Sequence, residues 1–221
     1  MRRWLCALLS CAPLAGNGAP EVAVDVGHYL EKPGVTSATG VPEFEYNAAL
    51  AVKVREALEA AGLGVRMVGE RGDFADLASR PRAAIGADLF VSIHHDSVQE
   101  RYMPVAGRFA GYSIFVSRLN PKVKQSLACA SAIGAAMRRA GFTPSRYHAD
   151  PVLGERRPYA DEPNGVHYFD NLAVAKTATL PALLFEAGVI VNPEEEARVS
   201  RPEVRAAMAG AIAQGVALCL N

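Results

Sequence analysis

Two histidines and two glutamates stand where a sheet could gather them. His28 follows the run VAVDV through a glycine, His94 ends LFVSI, and Glu186 ends ALLF. Glu43 falls in the first turn of the helix that follows a glycine-containing loop, residues 27–40. Two imidazoles and one carboxylate form a known catalytic zinc set with an open fourth position. Such an ion keeps net positive charge, draws the pKa of its water toward about 7 and polarises a carbonyl. A second carboxylate, not bound to the metal, can take the water's proton and return it to a leaving nitrogen. These types therefore suggest amide hydrolysis at one zinc held by His28, Glu43 and either His94 or its neighbour His95, with Glu186 as general acid and base.

Each residue also has an ordinary explanation. A single histidine after a strand is commonly structural or exposed. Glu43 suits a helix N-terminus through the dipole alone. Glu186 is harder to set aside, because a carboxylate after four apolar residues is costly to bury without a partner. Alternation along a strand turns His94 and His95 to opposite faces, and spacing does not choose between them. Asp25 and Asp96 could orient imidazoles or simply cap turns. His148 and His167 lie in an irregular stretch and read as exposed or substrate-facing. Other chemistries lack their patterns: there is no GxSxG, HExxH, GxGxxG after a strand, P-loop or CxxC.

The elements that must position these residues alternate. Strands are expected at Glu21–Val26, Gly64–Val68, Asp88–Ile93, Gly111–Ser117 and Pro181–Phe185. Helices are expected from Pro42 past Leu58, over Asp73–Ile85 with Pro81 either breaking it or starting its second part, over Lys122–Ala140 and over Pro202–Leu220. Strands separated by helices of this length predict right-handed crossovers. The expectation is a single α/β domain, residues 20–221, with a mainly parallel twisted sheet of about five or six strands and helices on both faces. Ligands of such sheets bind beyond the carboxyl ends of the strands, where His28, His94 and Glu186 fall. Residues 143–168, rich in proline and charge, read as a long ordered loop.

The chain has 221 residues, zero formal net charge and an apolar half. That balance gives no basic face for nucleic acid and no attraction to an acidic membrane. Arg2 and Arg3, the apolar run Trp4–Leu14 and the small residues Ala15, Gly16, Gly18 and Ala19 form an export-signal pattern over residues 1–19. The run is too short for a transmembrane anchor. Ser10-Cys11 is a loose lipoprotein-type pattern, with Leu9 awkward before it. Cys129 and Cys219 read equally as a disulfide or as two buried thiols.

The same residues carry a family resemblance. From about Glu21 onward the chain resembles the zinc-dependent N-acetylmuramoyl-L-alanine amidases, typified by the periplasmic division amidases. VAVDVGH is similar to an opening strand that usually ends Asp-Pro-Gly-His, with Val26 in place of the proline. EFEYNAALA is similar to the glutamate-bearing helix start and puts Glu43, not Glu45, at the ligand position. ADLFVSIHHD is similar to the strand ending Ser-Ile-His, which favours His94 over His95; Asp96 stands where asparagine is usual. PALLFEAGVIVNPEEE is similar to the catalytic segment and matches Glu186 and Asn192. The resemblance implies peptidoglycan as substrate, cleavage between the lactyl group of N-acetylmuramic acid and L-alanine, and an exported enzyme of the periplasm or cell envelope. It also implies regulation in some members, by a segment that blocks the zinc until a protein activator displaces it. Val98–Arg108 and residues 143–168 are the candidate segments here, with a groove-shaping loop the favoured reading. A zinc peptidase acting on wall peptides and a non-catalytic wall-binding module are the rival functions.

Overall fold

The structure, a computed structural model, describes residues 18–220. The export pattern, with Cys6 and Cys11, lies outside the described residues save for Gly18 and Ala19. The valine-rich and apolar runs form strands as expected, β1 Glu21–Val26, β2 Gly64–Val68, β3 Leu89–Asp96, β4 Ser113–Val116 and β7 Ala182–Val189, and two unexpected strands join them, β5 Tyr159–Asp161 and β6 Val166–Tyr168. The helices are α1 Glu43–Ala60, α2 Val123–Arg139, α3 Ala173–Lys176, α4 Pro193–Val199 and α5 Pro202–Leu220.

One seven-stranded sheet runs in the order β2-β1-β3-β7-β4-β6-β5. β2, β1, β3 and β7 are mutually parallel, so the carboxyl ends of β1, β3 and β7 share one rim. β4 runs antiparallel to β7, and β5 and β6 form an antiparallel pair at the edge. The sheet is thus wider and more mixed than expected, because two three-residue strands emerge from the stretch read as loop.

The three long helices share one face. Leu50 and Val54 of α1, Ile133 and Met137 of α2, and Met208 and Ile212 of α5 pack there against Val22, Val24, Val91, Leu183 and Phe185. The opposite face carries Ala23, Phe90, Ala182 and Leu184, covered by α3 and irregular segments. Helices on both faces were expected, but the second face receives only the four-residue α3 and a short 3-10 turn, Pro81–Ala84. Of the helix expected over Asp73–Ile85, only the second part that Pro81 opens forms, as that 3-10 turn. The Asp76 side chain captures the Ala78 amide in a local turn, and Arg80 is drawn inward to the strand ends.

α5 is apolar and long enough to cross a membrane by length and composition. Here it is a packing element against α1 and α2, as an all-round apolar helix can be in a domain core. Cys129 and Cys219 form a disulfide between α2 and α5, closing a loop of 90 residues. A loop of that length contributes up to about 4 kcal/mol by restricting the unfolded chain. Reduction should therefore lower the melting temperature by roughly 10 °C. Identical melting curves with and without reductant, after thiol titration has shown that the bond is broken, would refute this.

Candidate metal centre

β1 delivers His28 just past its end. Gly27 still donates to Ile93 O at 3.0 Å, in sheet fashion, and His28 then turns into the left-handed region with φ 68°. A residue with a side chain adopts that conformation only when its surroundings enforce it. Arg80 does so here. It is almost wholly buried and donates to Val26 O at 2.6 Å, to Phe74 O at 2.7 Å and to His28 O. Its charge is balanced by Asp25 at 2.7 Å, whose other oxygen accepts from Ser92 Oγ at 2.6 Å. The Asp25 carboxylate thus goes to Arg80 and Ser92 and orients no imidazole, which was one of the two roles its position suggested.

Glu43 joins the two imidazoles. Its Oε2 lies 3.0 Å from His28 Nε2 and its Oε1 3.1 Å from His94 Nδ1. The rings meet edge to face with centroids 4.9 Å apart. Oε1 also accepts from Asn47 Nδ2 at 3.1 Å and from the His95 amide at 3.3 Å, and Oε2 from the Val35 amide at 3.3 Å. Burial works to raise this carboxyl, but the hydrogen bonds from His28 and His94 prevail and hold it below the usual carboxylate range. One donor atom from each of His28, Glu43 and His94 lies within 4.8 Å of the others. Among the described residues, no other histidine, cysteine, aspartate or glutamate joins this group.

Two glycines make the space. A Cβ on Gly27 would fall 2.2 Å from His94 Nε2, so the imidazole lies directly against the backbone there. A Cβ on Gly34, at φ +83°, would fall 2.3 Å from Glu43 Oε2 and 2.8 Å from His28 Cδ2. The loop bearing Gly34 is tied down by Glu196, which accepts from Ser37 Oγ at 2.6 Å, Tyr46 Oη at 2.6 Å and the Thr39 amide at 3.0 Å. Sequence reasoning missed Gly34, Arg80 and Glu196. Only the glycine content of the loop offered a signal.

His95 points away from the cluster. It is buried, its Nδ1 lies 2.9 Å from Asn47 Oδ1, and burial pushes the imidazole down to about 3. Asp96 likewise serves no imidazole of the cluster, since its Oδ2 pairs with His148 Nε2 at 2.7 Å. Asn192 is a helix cap: its Oδ1 accepts from the Glu194 amide at 3.0 Å and its Nδ2 donates to Phe109 O at 2.8 Å.

Glu186 occupies β7 beside His94 in register, with Ser113 of β4 on its other side. Its Oε2 is closed off from solvent and has no hydrogen-bond partner among the described residues. Burial first, then the carboxylates of Asp96, Glu43 and Glu155, push this carboxyl well above the usual range. A carboxyl in that condition is a stronger base than an exposed one and suits proton transfer near neutrality.

The expectation that His148 and His167 are exposed or substrate-facing fails, since both are buried. Burial lowers His167 to about 4. Burial also pulls on His148, but Asp96 on one nitrogen and Glu155 on the other overcome it and lift the imidazole to about 9. A histidine raised from 6.5 to about 9 contributes stability that is full below about 6.5 and is lost as pH rises through 9. The full contribution is about 3 kcal/mol. The stability gap between wild type and His148→Gln should shrink from pH 6 to pH 9.5 in denaturant titrations. A constant gap would remove the charged His148 from the account.

The two candidate regulatory segments pack on each other. Gln99 donates its amide to Tyr147 Oη at 3.1 Å and its Nε2 to Gly154 O at 3.1 Å, and Tyr102 Oη donates to Val152 O at 2.7 Å. Glu155 is engaged by His148 and Arg157. Neither Glu100, Glu155 nor Glu162 joins the His28–Glu43–His94 group. The segments therefore place no carboxylate on the centre.

A sequence model of the family described as N-acetylmuramoyl-L-alanine amidase (Amidase_3) matches residues 22–217. The chain belongs to the N-acetylmuramoyl-L-alanine amidase family. It is 27% identical to the N-acetylmuramoyl-L-alanine amidase AmiA of Escherichia coli (strain K12) over 90% of this chain and 76% of that protein. Among solved structures it is similar to the catalytic domain of the amidase CwlV from Bacillus (Paenibacillus) polymyxa var. colistinus. There the TM-score is 0.71 and the identity 26%, over 91% of this chain and 98% of that one. The fold is shared also with Ami1 from Mycobacterium smegmatis, at TM-score 0.76 and 22% identity, over 92% and 97%. As a family amidase the protein is an amide hydrolase, and its α/β fold is the one it shares with these structures.

Proposed function

We propose that this N-acetylmuramoyl-L-alanine amidase uses one zinc ion, held by His28, Glu43 and His94, and acts on peptidoglycan outside the cytoplasm. The convergence of three donor atoms beside an unpartnered, base-strengthened Glu186 carries the reading. Nitrogen and carboxylate donors of this kind fit zinc, and three of them leave a position open. When bound, zinc supplies a Lewis acid that polarises the amide carbonyl and makes water more acidic.

The chain's own residues do the remainder. Glu186 Oε2, with no internal partner to compete, accepts a proton from the water that attacks the lactyl carbonyl carbon. As the C–N bond breaks, the same carboxyl gives that proton to the departing L-alanine nitrogen. The products are a lactyl carboxylic acid and a stem peptide with a free amino terminus. Glu43 balances the two imidazoles, Asn47 fixes Glu43, and Arg80 holds the backbone that presents His28.

Export is supported by the leader pattern and by the disulfide, which persists in oxidising compartments. Purified peptidoglycan should be digested with and without a chelator and the products weighed. Intact stem peptides beginning with L-alanine, uncut glycan strands and full loss of release on chelation are expected. Cleavage within the stem would establish the peptidase reading, and binding without release a wall-binding module.

A further inference from the structure

A cavity of about 270 Å³ opens beside the centre, with His28 and His94 in its wall. Leu77, Leu172, Val174 and Leu184 make most of the remaining lining apolar. Lys32, an exposed residue, is the only lysine or arginine in its wall, and no carboxylate lines it among the described residues. Lys32 lies four residues after His28 in a loop closed by paired backbone hydrogen bonds with Tyr29, at 3.0 and 3.3 Å. Its ammonium makes no ion pair among the described residues. Glu186 is not in the lining; it stands beside His94 on β7, two residues beyond Leu184 toward the carboxyl end of the strand, so the two ends of the centre differ in character. One side is apolar and carries a free cation; the other carries the proton-handling carboxylate.

A scissile amide divides its substrate in the same way. On the acyl side is a lactyl ether of a sugar. On the amine side is a peptide that begins with a methyl side chain and continues with carboxylate-bearing residues. An apolar cavity with a cation at its wall matches the peptide side. We propose that this cavity receives the stem peptide, with the L-alanine methyl against the leucine lining and the carboxylate of the next residue on Lys32, so that Lys32 selects stems whose carboxylate is free over those in which it is a carboxamide. This assignment rests on the amidase reading given above. It fixes the orientation of the substrate, with the glycan on the Glu186 side.

The test uses two synthetic muramoyl peptides that differ only in that group, carboxylate or carboxamide, and the zinc-loaded protein. A charge-assisted contact in a partly enclosed site corresponds to about a tenfold difference. Wild type should favour the carboxylate substrate by about that factor in kcat/KM. In Lys32→Met, which keeps the apolar stem, the ratio should fall to about one. In Lys32→Arg much of it should return, since charge rather than shape is read. Equal cleavage of both substrates by wild type, or an undiminished preference in Lys32→Met with fold and zinc content retained, would overturn the proposal. If wild type cleaves neither substrate, the amidase reading has failed and the specificity falls with it.

Discussion

Glu186→Gln is expected to keep one zinc per chain and to lose turnover by about 10²–10⁴-fold, the usual share of a general acid–base group. Glutamine matches the side chain in shape but cannot take up the proton. Zinc binding should survive because the cluster is built from His28, Glu43 and His94 alone. Stability should not fall. The raised carboxyl of Glu186 costs the folded state increasingly as pH rises above the ordinary carboxyl range, until the folded group itself ionises, and burial, with Asp96, Glu43 and Glu155 facing it, is the reason. An uncharged side chain removes that cost, so the metal-free variant should melt no lower than the metal-free wild type at neutral pH. A variant that is inactive, zinc-loaded and at least as stable separates lost chemistry from lost structure. Retained turnover in Glu186→Gln would eliminate the proposed proton path.

His94→Ala is expected to abolish both zinc retention and hydrolysis, whereas His95→Ala should keep its metal. The neighbours differ only in the direction in which the strand sends them. His94 meets Glu43 across 3.1 Å, while His95 faces Asn47 and Tyr46 on the buried side. Metal analysis after dialysis against a weak chelator, followed by turnover on soluble muramoyl peptide, reads the two effects separately. The His95 variant should lose stability instead, since the ring fills buried space and its removal leaves Asn47 Oδ1 without that partner. Equal zinc loss in both variants would mean that the strand does not sort them.

The parts of this molecule legible in sequence are those written in local pattern. VAVDV, LFVSI and ALLF are apolar runs too short for helices, and each became a strand of the parallel core. Glu186 was conspicuous because a carboxylate ends such a run. What escaped was set by partners distant along the chain. Arg80 fell within an expected helix, Asp73–Ile85, yet its partner Asp25 lies 55 residues away. His148 looked exposed, yet it closes on Asp96 across 52 residues. β5 and β6 have three residues each, too few to display alternation. Their existence depends on the edge that β4 offers. The choice of His94 over His95 needed either a family resemblance or coordinates, because alternation says only that the two diverge.

Arg80 has a consequence for how the proposed ion would be loaded. A zinc finger has no shape until its ion arrives. Here the turn that presents His28 is clamped by an arginine of the protein's own interior, which bonds to Asp25 and to the carbonyls of Val26, His28 and Phe74. None of those bonds uses a donor atom of the proposed centre. Folding and loading should therefore be separable, and a chelator should take the ion and leave the turn standing, ready to be filled again.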